Sequence, residues 1–396
     1  MSDRSADTNL TGLRRQGRRL RVLHFATGGF SGATQVAVDL CGDDTQQQTL
    51  LVLRRRANDP AARISELRAR GLAVDVVPRP RLLAIWRLWQ ICRTWRPDIL
   101  VAHGFSDHLW GRYAGLMAGV PHLVHVEHNV RERYGWWLLW QSRWLARRTD
   151  ALVGVSDAVR AALVRLGHPP ARCITIYNGI DLSRWPSGLP WDERESAVLM
   201  AARFARQKDH ETLIRAARLL VDQGTPLVFY VAGGGSRRWR ARSERLVEQL
   251  GVAPWVRFLG PVDDLPALYG RVRYCLLSSH YEGLGLALIE GMASGCCAIG
   301  SDVEGIREVI DDGNTGLLVP HGDAHALAHT LATLITNECQ GQRLAKAGQQ
   351  MVRARFDRLV MRAAYWQLFR RLVTDDDRET PESSTELRTP DGSHSR

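Results

Sequence analysis

Two glutamates, Glu282 and Glu290, flank a glycine-rich stretch in residues 280–295, HYEGLGLALIEGMASG, which follows a predicted strand. Glu282 is expected in the loop and Glu290 about two turns into the following helix, so both carboxylates can reach groups beside that loop. Gly283 and Gly285 precede the helical run, and backbone N–H groups at a helix start bind anions. This set suits a ligand with hydroxyls at both ends and phosphates in the middle, as in a nucleotide sugar. Alternatively, both glutamates contact only solvent.

Two basic residues follow the first predicted strand of the second half. Arg203 and Lys208 lie in the segment ARFARQKDH. A flexible ammonium beside a guanidinium can clamp a diphosphate leaving group. An exposed basic loop before a helix would have the same sequence, so the pair alone leaves both interpretations open.

Two further glycine-rich loops, TGGFSGA with Gly29 and Gly32 and AGGGS with Gly234, also follow predicted strands. Neither has the spacing of a dinucleotide fingerprint or of a Walker phosphate loop, and a glycine at such a position more often only makes a turn. His128, in VEHN, lies at the predicted carboxyl end of a strand. A histidine there either contacts a ligand or is a core histidine that the backbone satisfies.

The sequence contains no motif that predicts a metal ion or a bound cofactor. The seven cysteines form no C-x-x-C pair, and Cys296 and Cys297 are adjacent within an apolar run. Outside the acidic tail we find no D-x-D motif, and no H-E-x-x-H motif occurs. We therefore expect free thiols, no metal and no cofactor.

Short apolar runs alternate with helical stretches along most of the chain. This alternation is typical of doubly wound parallel sheets, in which ligands bind beyond the carboxyl ends of the strands. After a run that begins at Arg21, the predicted strands are residues 49–53, 73–77, 98–102, 122–126, 151–155, 173–177, 197–201, 227–232, 256–259, 274–278, 297–300 and 316–319. The sequence therefore predicts an α/β protein with two Rossmann-like halves that face a cleft.

Changes in composition mark the predicted domain boundaries. Residues 1–19 are polar and basic and are predicted to form a disordered arm, and the charged residues 374–396 a disordered tail. The segment NGIDLSRWPSGLPWDER, rich in turn-forming residues, predicts a linker. It separates an N-terminal domain of residues 20–185 from a C-terminal domain of residues 186–356, which a helix over residues 357–373 follows.

In order along the chain, nine segments resemble family 4 of the retaining glycosyltransferases, which have the GT-B fold, and in particular bacterial lipopolysaccharide and polysaccharide sugar transferases. The segments are GGFSGATQVAVDL, VEHNV, ALVGVSDAV, IYNGID, ARFARQKD, VAGGG, FLGPVDDLPALY, YEGLGLALIEGMASG and VEGIREVIDDGNTGLLVPHGD. The likeness covers most of the chain, and the E-x7-E spacing is its most specific part.

The resemblance implies roles for the residues of the second half. Glu290 would hold the ribose hydroxyls of the donor, and Glu282 would contact the donor sugar. Arg203 and Lys208 would bind the diphosphate and stabilise its charge as it leaves. The remaining donor-binding residues implied there are Gly234 and, through their amides, Gly283, Leu284, Gly285 and Leu286.

The resemblance also implies roles for the first half. Gly29 and Gly32 would approach the donor across the cleft, and His128 would lie near the reacting sugar. Many relatives carry a glutamate where this chain has Thr34, so the first loop departs from the family pattern. Family members usually need no metal and retain the anomeric configuration by front-face attack, and uridine diphosphate is a commoner donor nucleotide among them than guanosine diphosphate.

Residues 131–150, RERYGWWLLWQSRWLARRTD, hold four of the chain's 13 tryptophans. On a helix, these tryptophans fall on one arc with two arginines beside it. Indoles flanked by guanidinium groups are typical of a helix that lies on a membrane surface. A tryptophan-rich core helix and a nucleic-acid patch are the alternatives, although no nucleic-acid module matches. The predicted membrane-contact residues are Trp136, Trp137, Trp140, Trp144, Arg143 and Arg147.

The formal net charge is +11, and the excess lies almost entirely in the first half of the chain. Such asymmetry favours an anionic partner for that half, although a solvated arginine-rich surface would give the same count. The first residues include no apolar signal sequence. We therefore predict a cytoplasmic enzyme on the inner face of the cell membrane, with an anionic membrane surface and no nucleic acid as partner.

The predicted function is transfer of a sugar from a nucleotide-diphosphate sugar to a membrane-associated glycan, such as a lipopolysaccharide or lipid-linked saccharide. Two alternatives remain from the sequence alone. One is a nucleotide-sugar epimerase of similar fold, and the other is a non-catalytic protein that binds anions or lipid.

Overall fold

The computed structural model describes residues 19–28, 32–42, 46–55, 61–104, 107–131 and 134–379. Within them the chain forms two parallel sheets, each with helices packed against it. The predicted α/β architecture of two doubly wound parallel sheets is therefore confirmed. Residues 1–18, and with them nearly all of the predicted arm, lie outside the described residues.

The first sheet contains seven strands. They are β1 (Leu20–Thr27), β2 (Gln47–Arg54), β3 (Val74–Val77), β4 (Ile99–His103), β5 (His122–Glu127), β6 (Ala151–Gly154) and β7 (Cys173–Thr175). Their spatial order is β3-β2-β1-β4-β5-β6-β7. The order reverses at β1, which pairs with both β2 and β4, and such a reversal opens a crevice at the carboxyl ends of the strands.

The helices of the first domain cover both faces of this sheet. They are α1 (Gly32–Leu40), α2 (Ala61–Ala69), α3 (Arg81–Trp95), α4 (Asp107–Ala118), α5 (Trp136–Ala146) and α6 (Asp157–Arg165). Leu23 and Phe25 of β1 point into a cluster with α3 and α4, and Ala26 points into another with α1 and α2. Strands buried on both faces read as the continuous apolar runs seen in the sequence.

The second sheet contains six strands. They are β8 (Glu195–Ala201), β9 (Val228–Ala232), β10 (Val256–Gly260), β11 (Val272–Leu277), β12 (Cys297–Ser301) and β13 (Leu317–Val319). Their order is β10-β9-β8-β11-β12-β13, so the reversal falls at β8 and β11. The chain leaves the first sheet at Thr175 and enters the second at Glu195, and the predicted linker forms this connection.

The helices of the second domain follow the same alternation. They are α7 (His210–Asp222), α8 (Arg237–Gln249), α9 (Leu265–Arg271), α10 (Leu286–Ala293), α11 (Glu304–Arg307), α12 (Ala324–Thr336) and α13 (Glu338–Arg355). A short 3-10 turn, Arg206–Lys208, precedes α7. None of the helices in the described part of the chain is long and apolar enough to cross a membrane.

The last helix, α14 (Arg358–Glu379), returns to the first domain. Arg358 pairs with Asp181 at 2.9 Å, and the ring of Phe369 lies edge-on to His24 of β1, with centroids 6.5 Å apart. The predicted end of this helix at residue 373 is wrong. Polar composition indicates that a segment is solvated, but it does not end a helix, and the next residues contain no glycine or proline.

Phe369 offers a test of how strongly this crossover helix stabilises the protein. Its side chain is buried, and Phe369→Ala should lower the free energy of unfolding by about 3–5 kcal/mol through lost burial and a cavity. Leu359→Ala, on the same helix but 65% exposed, should change it by less than about 0.5 kcal/mol. Urea unfolding measures both, and equal losses would show that the crossover contact contributes nothing special.

Candidate active site

The loop between β11 and α10 carries the two predicted carboxylates. Gly285 caps α10 with φ of 78°, a left-handed conformation that favours glycine, and the helix then begins at Leu286. The first turn of α10 contains no acidic side chain, so its free amides face outward without an internal anion. Glu282 precedes this turn and Glu290 lies in the second turn, as the sequence predicts.

Lys208 and Glu282 form an ion pair, with 2.5 Å between Nζ and Oε1. Glu282 is buried and the lysine is mostly buried, so solvent screens this pair less than a surface pair. Two hydrogen bonds hold the loops together: the side-chain amide of Gln207 donates to the carbonyl of Tyr281 at 2.9 Å, and the backbone carbonyl of Gln207 accepts from the amide of His280 at 2.9 Å. The structure therefore brings together two predicted residues that are 74 positions apart.

Asp209, directly after Lys208, has φ of 38° and ψ of 56°. This left-handed conformation is costly for a residue with a side chain. Its carboxylate caps α7 by accepting from the Thr212 amide at 3.4 Å, and it also accepts from the Thr212 hydroxyl at 2.6 Å. Its carbonyl accepts from the Ser278 hydroxyl at 3.1 Å. These bonds offset the strain and fix the backbone that carries Lys208. The sequence analysis did not identify this residue, although an aspartate before a helix is a capping signal.

Glu290 lies in a different environment from Glu282. It is half-buried, and desolvation raises the pKa of its carboxyl to about 7, although the Arg184 guanidinium acts in the opposite direction. The same carboxylate contributes to the raised pKa of the buried Tyr269. Glu290 is therefore divided between its neutral and charged forms near neutral pH, and a hydrogen-bond donor from a ligand would favour the charged form.

Arg203 is exposed at the end of β8 and lies beside the second glycine-rich loop. The amide of Phe204 donates to the carbonyl of Gly234 at 2.7 Å. A side chain on Gly233 would lie 2.2 Å from the carbonyl oxygen of Ala202, so this close approach requires a glycine. Arg203 and Gly234, two of the predicted site residues, thus lie close together at one edge of the second sheet.

His128 of the first domain lies against the loop between β11 and α10. A Cβ on Gly283 would lie 2.1 Å from the His128 carbonyl oxygen, so the two backbones touch. Burial lowers the pKa of His128 to about 3, and its Nε2 is buried without a hydrogen-bond partner among the described residues. The imidazole is therefore neutral and offers one unused nitrogen. Its ring stacks on His103, which contacts His24 in turn.

The first glycine-rich loop is described only in part. Gly32 begins α1, and a Cβ there would lie 3.4 Å from Leu286 of α10, so the structure brings these two predicted residues together. Gly29 lies outside the described residues. Thr34 is buried and donates its hydroxyl to the carbonyl of Thr27 at 2.8 Å. It therefore stabilises the turn after β1.

Two side chains that were not predicted from the sequence join the domains beside the loop between β11 and α10. Ser156 donates to the carbonyl of Gly283 at 2.6 Å, and its position before α6 is a recognisable capping signal. Glu308 accepts from the amides of Asp157 and Ala158 at 2.8 and 2.7 Å, so a carboxylate of the second domain caps a helix of the first. No local pattern indicates a contact between residues so distant in sequence.

A buried polar cluster lies behind His128. His108, His125 and Glu127 place one ligating atom each within 4.8 Å of one another, as a metal site would. However, Arg112 is fully buried and donates to His108 Nδ1 at 2.6 Å, and the other nitrogen lies 2.7 Å from the Tyr134 hydroxyl. Both nitrogens of His108 are therefore engaged and a guanidinium already supplies the positive charge, so these residues fit a metal ion poorly.

Helix α5 exposes its tryptophans. The exposed fractions run from 82% for Trp136 to 36% for Trp144, while Leu145 and Ala146 are buried against the domain. Trp137 and Trp140 stack with centroids 5.0 Å apart. The interpretation of α5 as a tryptophan-filled core helix is therefore wrong, because Leu145, Ala146, Gln141 and Ser142 form its buried side.

The arginines predicted beside these indoles have different surroundings. Arg143 donates from Nε to the carbonyl of Leu166 at 2.7 Å, so part of its guanidinium is committed to the protein. Arg147 is exposed. Arg148, which was not among the predicted residues, places its guanidinium carbon 3.9 Å from the centroid of Trp144, a cation–π contact.

The two sheets face each other across the loop between β11 and α10, and paired carboxylates and cations lie at one sheet edge. This arrangement defines a glycosyltransferase of the GT-B type. Two family models match the chain: Glycosyltransferase Family 4 matches residues 8–184, and Glycosyl transferases group 1 matches residues 183–351. The chain belongs to the glycosyltransferases that these two models describe, and the resemblance to family 4 is confirmed.

Known relatives support the same class. LpsE of Rhizobium meliloti, a lipopolysaccharide core biosynthesis glycosyltransferase, is 27% identical over 363 residues, which cover 88% of this chain and 98% of that protein. The glycogen synthase of Mycobacterium tuberculosis is 28% identical over 298 residues, 70% of this chain and 69% of that protein. The crystal structure of Anabaena HepE in complex with UDP-glucose is similar in fold, with a TM-score of 0.79 at 20% identity, 90% of this chain and 100% of that chain.

The interdomain cap at Glu308 can be tested by its effect on stability. Glu308→Ala removes two charge-assisted hydrogen bonds from the start of α6 and should lower the free energy of unfolding by about 1–2 kcal/mol. Glu304→Ala, which breaks an ion pair with Arg165 between two largely exposed side chains, should cost at most about 0.5 kcal/mol. If urea unfolding gives the same loss of unfolding free energy for both variants, the Glu308 cap stabilises the protein no more than a surface ion pair does.

Proposed function

We propose that the protein transfers a sugar from a nucleotide-diphosphate sugar to a membrane-associated glycan, with retention of the anomeric configuration. The observation that carries this proposal is the arrangement at the start of α10. There the Lys208–Glu282 pair, the free amides and Glu290 line one side of the cleft, and His128 lies on the other. LpsE, a relative named for lipopolysaccharide core biosynthesis, supports an acceptor of this class.

The donor would lie along α10 with its two hydroxyl-bearing ends near the two glutamates. In this pose Glu290 accepts from the ribose hydroxyls, and the amides from Gly283 to Leu286 contact the diphosphate. Glu282 accepts from hydroxyls of the sugar. A uridine nucleotide is favoured over guanosine, and the UDP-glucose complex of the HepE structure, which has a similar fold, supports that choice.

The chemical step would be a front-face displacement at the anomeric carbon. The acceptor oxygen forms a bond to that carbon as the bond to the diphosphate oxygen breaks, and the diphosphate keeps the electron pair. The acceptor proton passes to the departing diphosphate. Lys208 and Arg203 stabilise the charge that develops there, which is the role that a metal ion plays in other transferases. Neutral His128 offers its free nitrogen to a sugar hydroxyl.

Donor binding tests this proposal through Glu290. Wild-type protein should bind UDP-glucose, and Glu290→Gln should weaken binding, while Glu248→Gln, on the exposed face of α8, should leave it unchanged. Thermal shift and calorimetry without added metal measure the effect. Binding that Glu290→Gln leaves intact would contradict the assigned site. Conversion of the UDP-sugar to another UDP-sugar without any acceptor would instead indicate an epimerase.

The raised pKa of Glu290 predicts how this binding depends on pH. The free carboxyl keeps its proton up to about pH 7, whereas the carboxylate is the form that accepts from ribose hydroxyls. Affinity for UDP-glucose, whose diphosphate does not titrate here, should therefore rise about tenfold from about pH 6 to about pH 8, and binding should release a proton below about pH 7. Glu290→Gln should remove this dependence, and a pH profile shared by both proteins would assign it to another group.

We further propose that the first domain docks on an anionic membrane surface at the cytoplasmic face, through the exposed indoles of α5. Trp136, Trp137 and Trp140 lie on the outside of the domain, and the arginines beside them suit lipid phosphates. The excess of arginine in the first half of the chain supports the same orientation. The acceptor would then reach the cleft from the membrane.

Replacement of Trp136, Trp140 and Trp144 together by serine should abolish sedimentation with phosphatidylglycerol vesicles. All three side chains are partly or largely exposed, so the fold should survive, and circular dichroism checks this. Binding of the wild-type protein should weaken with added salt because exposed charges are screened. Serine at Leu359 and Val360 of α14, which are also exposed, should leave binding unchanged. Undiminished sedimentation of the triple variant would rule out this surface.

A further inference from the structure

Helix α3 exposes an apolar side as well as burying one. Its inner side, Ala84, Leu88, Ile91 and Cys92, packs on the first sheet. Its outer side carries Leu82, Leu83 and Trp86, all of them more than half exposed. A helix at the surface of a domain normally presents polar residues to solvent, and a contiguous exposed apolar patch marks an interaction site. Helix α3 lies outside the set of membrane contacts predicted from the sequence.

The apolar sides of α3 and α4 enclose a groove that is open to the surface. Its volume is about 640 Å³, within the usual range of roughly 300–1,000 Å³ for small-molecule sites. The lining side chains are Leu82, Ile85, Trp86, Trp89, Tyr113 and Met117. The phenol is the only strongly polar group among them, and its hydroxyl donates to Gln141 Oε1 at 3.0 Å. The groove therefore suits a hydrocarbon chain.

The groove continues into the indole face of α5. The ring of Tyr113, which lines the groove, stacks on Trp144 with centroids 6.1 Å apart. Trp144 in turn lies on the same helix as the more exposed Trp136 and Trp140. One continuous aromatic surface thus extends from α3 across α4 to α5.

Arginines border this aromatic surface. Helices α3, α4 and α5 present no carboxylate there. Arg81 places its guanidinium carbon 5.4 Å from the ring of Trp110, which stacks beside Tyr113, and Arg148 covers Trp144. Helices α3 and α5 contain no acidic residue, and the one acid of α4, Asp107, is buried against Arg54. The occupant of the groove should therefore carry an anionic group next to its hydrocarbon chain.

We propose that the α3–α4 groove binds one acyl chain of an anionic membrane phospholipid, whose phosphate lies against Arg81, directly before the groove residue Leu82. This rests on the proposed membrane docking and adds to it a specific lipid site. A flat membrane contact would need only the projecting indoles, whereas a concave apolar groove can take a single chain out of the bilayer. The bound lipid would fix the orientation of the first domain relative to the membrane.

Photocrosslinking on vesicles tests the proposal with the full-length protein. The vesicles contain phosphatidylglycerol with a diazirine on one acyl chain, and the labelled residues are mapped by mass spectrometry. Labels are expected on α3 and α4 at the groove, in addition to α5. Met117→Glu should lower the groove labels about tenfold, because the carboxylate would be buried against the chain, and should leave the α5 labels unchanged. Leu359→Glu, at a similarly exposed position on α14, should change neither.

The outcomes separate this proposal from the one on which it rests. Labels on α5 alone would overturn the lipid groove and leave membrane docking intact, whereas no labels on either would overturn the docking itself. Equal groove labelling by a photoactivatable phosphatidylcholine would refute the selection of an anionic headgroup. If the lipid-free protein is a dimer that Met117→Glu dissociates, a second copy of the chain fills the groove and the proposal is wrong.

Discussion

The position of the loop between β11 and α10, and with it of Glu282, depends on close backbone contacts with two neighbours. On one side, the His128 carbonyl leaves no room for a side chain at Gly283. On the other side, a Cβ at Gly305 would lie 2.4 Å from the carbonyl oxygen of Glu282. The loop is therefore held between close backbone contacts on both sides, and the Ser156 hydroxyl donates to its carbonyl. This fixes where Glu282 points.

A buried carboxylate in such a fixed position needs a cation, and Lys208 supplies it. The strained backbone at Asp209 has the same cause, because it directs the ammonium into the loop while α7 begins at the next residue. Among the described residues no cation lies at hydrogen-bond distance from Glu290, and desolvation raises the pKa of its carboxyl. The two glutamates thus have different surroundings, one paired with a lysine and one desolvated, although they lie on one short segment. This difference suits two separate tasks along one ligand.

Much of this architecture can be predicted from the sequence, for a physical reason. Strands buried on both faces must be apolar runs, and the helices between them must be amphipathic, so the order of elements is encoded locally. That Glu282 and Lys208 lie close together can be predicted from the sequence, because each follows a strand of the same sheet. The cap of α6 by Glu308 and the strain at Asp209 are different, because they arise only when distant segments pack. The end of α14 was missed because polar residues form helices as readily as tails.

Side-chain contacts of the first domain link the exposed aromatic surface to the cleft. Glu127 accepts from the amide of His128, and the indole face starts at Trp136. Between them, the Tyr134 hydroxyl contacts His108, whose ring stacks on His125 of β5 at 4.1 Å. These contacts link the start of α5 to β5, and His128 directly follows that strand. A surface that binds at α5 would therefore set the direction in which the cleft opens, which is what an enzyme needs if its acceptor stays in a membrane.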